Sequence, residues 1–252
     1  MKKKIIAALI VSSMFLGLQA QEKVTFKLNP EKGKVVPFEM VSKSDVEGAQ
    51  SMIMDMTIKM DMQATEVTTS QITYQAKYTQ LKTDINAGIM TISYDSSKEP
   101  SNQMEEMMAT QLKPLLESTL TIKMDKNAKI TEMDFPNVPD QAFDQSSIQG
   151  MFVSYPDYPL AIGDSWNNEV SLPQLSVKGK TTSTFTEKNV DGYKITIEGI
   201  FIDNSGNAIG TTTGHYVLDA KTFFVKSSSV TSAMEIQGNK ISSSTELKEI
   251  KN

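Results

Sequence analysis

The sequence predicts a mainly β protein with a helical insert (α+β): a curved antiparallel sheet or open half-barrel, with one long helix covering its apolar face. Three observations predict it. Apolar residues recur at every second position over most of the 252 residues, the spacing of strands with one buried and one wet face. Asn, Asp and Gly punctuate these runs where hairpins need positive φ. One stretch, Glu99–Ser118, changes to spacings of three and four, the period of an amphipathic helix.

The elements follow in chain order. Met1 to Lys4 is a basic segment, Ile5 to Leu18 an apolar run, and Ala20 a small residue before polar Gln21. That layout predicts a signal peptide over residues 1–20, cleaved after Ala20, and export to the periplasm or beyond. Residues 21–252 are expected to form a single β-rich domain, or lobes 21–135 and 160–252 joined by a Pro-rich crossing. In Ser51–Met62 the residues Met52, Met54, Met56, Ile58, Met60 and Met62 share one face against Asp55, Thr57, Lys59 and Asp61. Gln71–Tyr78 and Ala87–Tyr94 alternate in the same way. The predicted helix carries Met104, Met107, Met108, Leu112, Leu115 and Leu116, with Ser101 or Asn102 as its cap and Pro114 set to kink or shorten it. Thr119–Met124 and Lys129–Met133 make a hairpin.

Residues 134–173 are irregular and rich in Pro. A short helix within Asp140–Met151 and a surface crossing over Tyr155–Trp166 are expected there. Alternation returns in Leu175–Glu187, Tyr193–Ile202, Ala208–Leu218, Thr222–Ile236 and Lys240–Ile250, an antiparallel meander with hairpin residues between the runs.

Composition excludes several functions. There is no Cys, so no disulfide, thiolate site or lipidated Cys. All 25 basic residues are Lys, which removes the bidentate Arg clamp for phosphate. A net charge of −5 and the acidic balance argue against nucleic acid. Without Lys2, Lys3 and Lys4 the excess of acid grows, to 22 Lys against 30 acids. No phosphate loop, dinucleotide fingerprint or nucleophile elbow is present. The single His, His215, has no triad context. Asp125-Lys126-Asn127 and Asp203–Asn207 lack calcium-loop spacing and read as turns.

The Met stripe has three readings. Met fills irregular cores, lines adaptable apolar pockets, and ligates Cu(I). Along one strand, same-face neighbours stand about 7 Å apart, so a copper site needs ligands from a second strand. The expected function is non-enzymatic binding of an apolar ligand, such as a lipid acyl chain. Its seat would be a concave face lined by Met52, Met54, Met56, Met60, Met62, Met104, Met107, Met108 and Leu112. The alternative is a structural or interaction protein with a dry core and an envelope protein as partner; Cu(I) binding and hydrolysis rank below both. No cofactor, metal site or catalytic residue is expected.

The run Tyr155-Pro156 followed by Pro159-Leu160-Ala161-Ile162-Gly163-Asp164-Ser165-Trp166, set between long strands with a helix insert and a closing meander, resembles an uncharacterised family of secreted Bacteroidota proteins of unknown function. More distantly the plan looks like the lipoprotein-carrier half-barrels, in which a curved sheet and helices enclose an apolar cavity. The first resemblance implies no activity. The second implies a lipid-sized cavity beneath the helix.

Overall fold

The computed structural model describes residues 22–48, 51–136, 138, 148–172 and 175–250. The expected signal peptide and most of the expected Asp140–Met151 helix lie outside these residues. Twelve strands and one helix are found among them: β1 (Val35–Glu47), β2 (Met52–Val67), β3 (Gln71–Ala87), β4 (Met90–Asp95), α1 (Gln103–Glu117), β5 (Thr119–Asp125), β6 (Ile130–Asp134), β7 (Ser165–Leu172), β8 (Val177–Asn189), β9 (Gly192–Ile202), β10 (Ala208–Leu218), β11 (Val225–Ile236) and β12 (Asn239–Glu249).

All twelve strands join one antiparallel sheet in the order β6-β5-β3-β2-β1-β12-β11-β10-β9-β8-β7. β3 is long enough to pair β5 along Gln71–Lys77 and β4 along Lys82–Ala87. β6 and β7 are the ends of the order, so the predicted open sheet is what forms, not a closed barrel. The two meanders meet where β1 pairs β12 from Phe38↔Glu249 to Glu47↔Lys240. An extra residue of β3 between Lys59↔Gln80 and Met60↔Tyr78 shifts the register. Inward positions therefore change from Ile72, Tyr74, Ala76 and Tyr78 to Leu81 and Thr83, all buried.

The sheet curls around two segments that belong to none of its strands. Residues 22–30 run across it with Val24, Phe26 and Leu28 turned inward and Thr25 and Asn29 exposed: Val24 bridges Leu160, Leu28 N–H donates to Lys126 O at 2.8 Å, and Asn29 N–H donates to Thr222 O at 2.9 Å. Those bonds tie the β5–β6 turn to the β10–β11 loop, bringing opposite halves of the sheet together. Residues 148–162 lie beside the first segment. Tyr216 OH donates to Gly150 O at 2.8 Å, Trp166 Nε1 to Ser154 O at 2.7 Å, and Tyr155 OH to Phe223 O at 2.6 Å. Phe26 is the hub, with ring contacts to Tyr155, Phe185, Tyr193 and Phe223 at centroid distances of 5.2–5.7 Å. Two glycines allow the close strand approach on this face. A Cβ at Gly210 or Gly214 would come within 2.3 Å of a β11 carbonyl oxygen.

The expected surface crossing over Tyr155–Trp166 is corrected in part. Tyr155, Leu160, Ala161 and Trp166 are buried and turn into the curl, while Asp157, Tyr158, Pro159, Ile162, Gly163 and Ser165 stay exposed. The segment's prolines and turn residues suit a chain whose backbone cannot join a ladder, and Trp166 already belongs to β7. The helix begins at Gln103. Asn102 Oδ1 accepts from Glu105 N–H at 3.0 Å, and Glu105 returns a bond to Ser101 N–H at 2.7 Å. Pro114 lies in the last turn, and the helix runs on to Glu117. β1 has no counterpart among the expected strands. Its inward positions Ser42 and Ser44 break the apolar alternation that would announce it.

Candidate functional site

Cross-strand register sorts the inner face into rows about 7 Å apart along the strands. Near the filled end, which holds residues 22–30 and 148–162, one row runs Ile58, Met40, Leu247, Ser228, Tyr216, Ile195 and Phe185, and every member is buried. The next row mixes characters, with Met56, Ser42, Thr245 and Val230 half-buried. Beyond it lies a hydroxyl row: Ser44, Ser243, Ser232 and Thr212, interrupted by Gly199 and continued by Thr181 and Asn168. The outermost row is apolar throughout: Met52, Val46, Ile241, Met234, Gly210, Phe201, Gly179 and Val170.

Phe201 and Gly179 are buried, since the Phe201 ring and Val170 close over the glycine. On the four central strands the same row is half-buried at Met52, Val46, Ile241 and Met234. Met54 extends this surface sideways through Ile85 on β3 and Ile92 on β4, both half-buried. The open half of the interior thus presents apolar side chains to solvent on the face that is core farther along.

The predicted site residues fall into three environments. Met60 and Met62, with 1% and 3% exposure, belong to the packed core. Met52, Met54 and Met56 are half-buried on the open half, and Met108 and Leu112 are half-buried where α1 packs against the core. Met104 and Met107 are exposed at 39% and 52%. The helix sits on β3 and β4, with Leu115 its buried residue. The central apolar row contains residues that the Met pattern did not single out: Val46, Ile241 and Met234. Their alternation with Ser on β11 and β12 was legible, but their alignment with Met52 depends on the β1–β12 pairing.

Other chemistry is sparse. The register partners of Met52, Met54 and Met56 on β1 are Val46, Ser44 and Ser42, and those of Met54 and Met56 on β3 are Ile85 and Thr83. No second thioether stands directly opposite any of them. No three His, Asp or Glu side chains gather into a metal cluster among the described residues. His215 lies between Thr196 and Ser229 in the sheet. Burial, and then Lys194, pull its pKa below the ordinary His value. Burial pushes the Tyr74, Tyr78 and Tyr216 phenols well up, so they stay neutral. A cleft of about 690 Å³ crosses β7–β10. Its exposed Glu169, Lys180, Thr182, Glu198 and Thr213 alternate with the inward positions, which gives it a polar wall. A pocket of about 100 Å³ lies near Phe38, Met62 and Tyr74 at the filled end. Ligand pockets run from about 300 Å³ upward, so this one is too small for an acyl chain.

Residues 137–242, which include the Pro159–Trp166 run, match the model of a family of unknown function, DUF6263. No curated protein matches the chain in sequence. A solved structure titled for lipid–protein interactions in lipovitellin aligns over 88% of this chain with a TM-score of 0.58 and 13% identity. This chain spans 25% of that one, and the likeness is one of fold. A putative outer membrane lipoprotein-sorting protein domain from Vibrio parahaemolyticus aligns over 86% of this chain and 84% of its own, at 10% identity and a TM-score of 0.26. No helix among the described residues is long and apolar enough to cross a membrane.

Proposed function

We propose that this chain is a non-enzymatic protein of the cell envelope that holds an apolar ligand, an acyl-chain lipid, along the open half of its curved sheet. One observation carries the reading: the half-buried apolar row Met52, Val46, Ile241 and Met234, on the same face as the core but not closed over as the core is, with Met54 and Ile85 beside it. Covering that row removes apolar area from water, at about 25 cal/mol per Å². Methionine suits a ligand of variable shape, because its unbranched side chain repacks. The adjacent Ser44, Ser243 and Ser232 offer hydroxyls to a polar head lying across the trough. The ligand lies in an open trough rather than an enclosed cavity. The lipovitellin-like fold and the export layout of residues 1–20 support this reading.

The test is native mass spectrometry of the full chain purified from its own envelope, followed by solvent extraction. The expected result is a bound mass that extracts as acyl-chain lipid. Met54→Asp would place a carboxylate beneath the ligand without a partner, and retention is expected to fall at least about tenfold. A folded Met54→Asp protein that keeps its ligand would overturn the site.

A second reading, docking of an envelope protein, is favoured by the exposed apolar side chains Ile89 and Met90 at the β3–β4 turn and Met104 and Met107 on α1, which packs on those strands. A clean apo mass with no uptake of offered lipid would move the reading there.

A further inference from the structure

The hydroxyl row of the open half divides into bonded and free members. The Ser232 hydroxyl donates to Thr212 Oγ1 at 3.0 Å, and the Thr212 hydroxyl donates to Thr231 O at 3.3 Å. One row nearer the filled end, the Ser42 and Thr245 hydroxyls lie 3.3 Å apart. Ser44 and Ser243 are register partners on β1 and β12, and neither makes a side-chain hydrogen bond among the described residues. Both are half-buried. Tyr74 carries the one unpaired side-chain oxygen or nitrogen sealed from solvent among the described residues, so the Ser44 and Ser243 hydroxyls keep access to the trough. They stand one row, about 7 Å, from Val46 and Ile241. The open half has a second property. In its three rows, from β3 to β7, the inward positions hold only Met, Val, Ile, Phe, Trp, Gly, Ser, Thr and Asn. The chain has 25 Lys and 30 acids, yet none of them faces the trough. Lys43, Asp45 and Lys240 alternate to the exposed outer face.

We propose, on the reading that the open half seats a lipid, that the lipid is one with an uncharged hydroxyl or ester head, held by Ser44 and Ser243. Each serine supplies one O–H donor and two lone pairs, which match a hydroxyl or an ester carbonyl. A carboxylate or phosphate placed on this row would leave water without meeting a cation, a cost that hydroxyls alone do not offset. A fatty acid keeps its carboxylate in water at the open end and holds the trough by its chain only. It therefore binds the same seat more weakly than an alcohol or glyceride of equal chain length.

The experiment is displacement of a neutral fluorescent probe, N-phenyl-1-naphthylamine, from the full chain by 1-dodecanol and by laurate at pH 8, where laurate is ionised. Dodecanol is expected to displace the probe at concentrations at least about tenfold lower than laurate. Any apolar surface prefers an alcohol to a carboxylate, so the variants decide. In Ser44→Ala/Ser243→Ala, dodecanol should bind about five- to tenfold more weakly through the lost hydrogen bonds, and laurate should change less than about twofold. In Ser243→Lys, laurate should bind at least about tenfold more tightly than in the parent chain. Dodecanol binding that is unchanged or tighter in the double Ala variant, or laurate weakened there as much as dodecanol, would overturn the neutral head while leaving the apolar seat in place. So would laurate that matches dodecanol on the parent chain. No displacement by either compound would remove the lipid seat itself, and the neutral head with it.

Discussion

The two ends of β2 show how one residue type on one face serves two purposes. Met60 and Met62 are packed against Phe38, Tyr78 and Ala76, while Met52 and Met54, on the same face, are only half-buried. Nothing in the strand itself separates them. What differs is the cover: residues 22–30 and 148–162 fill one end of the curl and leave the central strands uncovered toward the other. A methionine stripe therefore says which face is inward. The irregular segments decide which part of that face becomes core and which part stays available to a ligand.

The largest expected effect breaks the filled end. Phe26→Ala removes the ring that touches Tyr155, Phe185, Tyr193 and Phe223, and should cost about 3–5 kcal/mol in equilibrium denaturation. Met54→Ala, on the open half, should cost less than about 1 kcal/mol. Equal losses would erase the distinction between the two ends.

A smaller effect sharpens it. Tyr155→Phe removes the 2.6 Å bond to Phe223 O and should cost about 1 kcal/mol, with faster amide exchange in the β10–β11 loop. That bond helps to hold Phe223, whose φ of 56° is unfavourable for a bulky side chain. Loss of lipid in this variant without loss of stability would couple the two ends.

The smallest effect concerns pH. The hydroxyl of Ser97, then its backbone N–H and Gln80, hold the Asp95 carboxyl down at about 2. Because the folded value lies below the unfolded one, the stabilisation is present above about pH 4 and is lost as pH falls toward 2. Asp95→Asn should flatten that part of the stability–pH curve slightly. A change near neutral pH would contradict the assignment.

Much of the sheet was legible in the sequence, because strand periodicity is local. Met52–Met62, the β5–β6 hairpin and the meander from Leu175 stand near where alternation puts them. β1 was hidden by Ser42 and Ser44, which face inward in a row of hydroxyls. The Tyr155–Trp166 run looked like surface because its Pro and Gly residues mark a chain outside regular ladders. Its burial depends on distant partners such as Asn127, whose carbonyl accepts Tyr155 N–H at 2.8 Å. The Met52 and Met54 part of the candidate site was visible as a stripe. Its other half, Val46, Ile241 and Met234, required the pairing of the first strand with the last.

The most direct test is photolabelling of the full chain with a photoactivatable fatty acid, with the labelled peptides mapped by mass spectrometry. Label is expected on the peptides of the β1–β2 and β11–β12 hairpins, at the open ends that carry Val46, Met52, Met54, Met234 and Ile241. Label confined to the filled end, or scattered evenly over the surface, would contradict a lipid seat on the open half of the sheet.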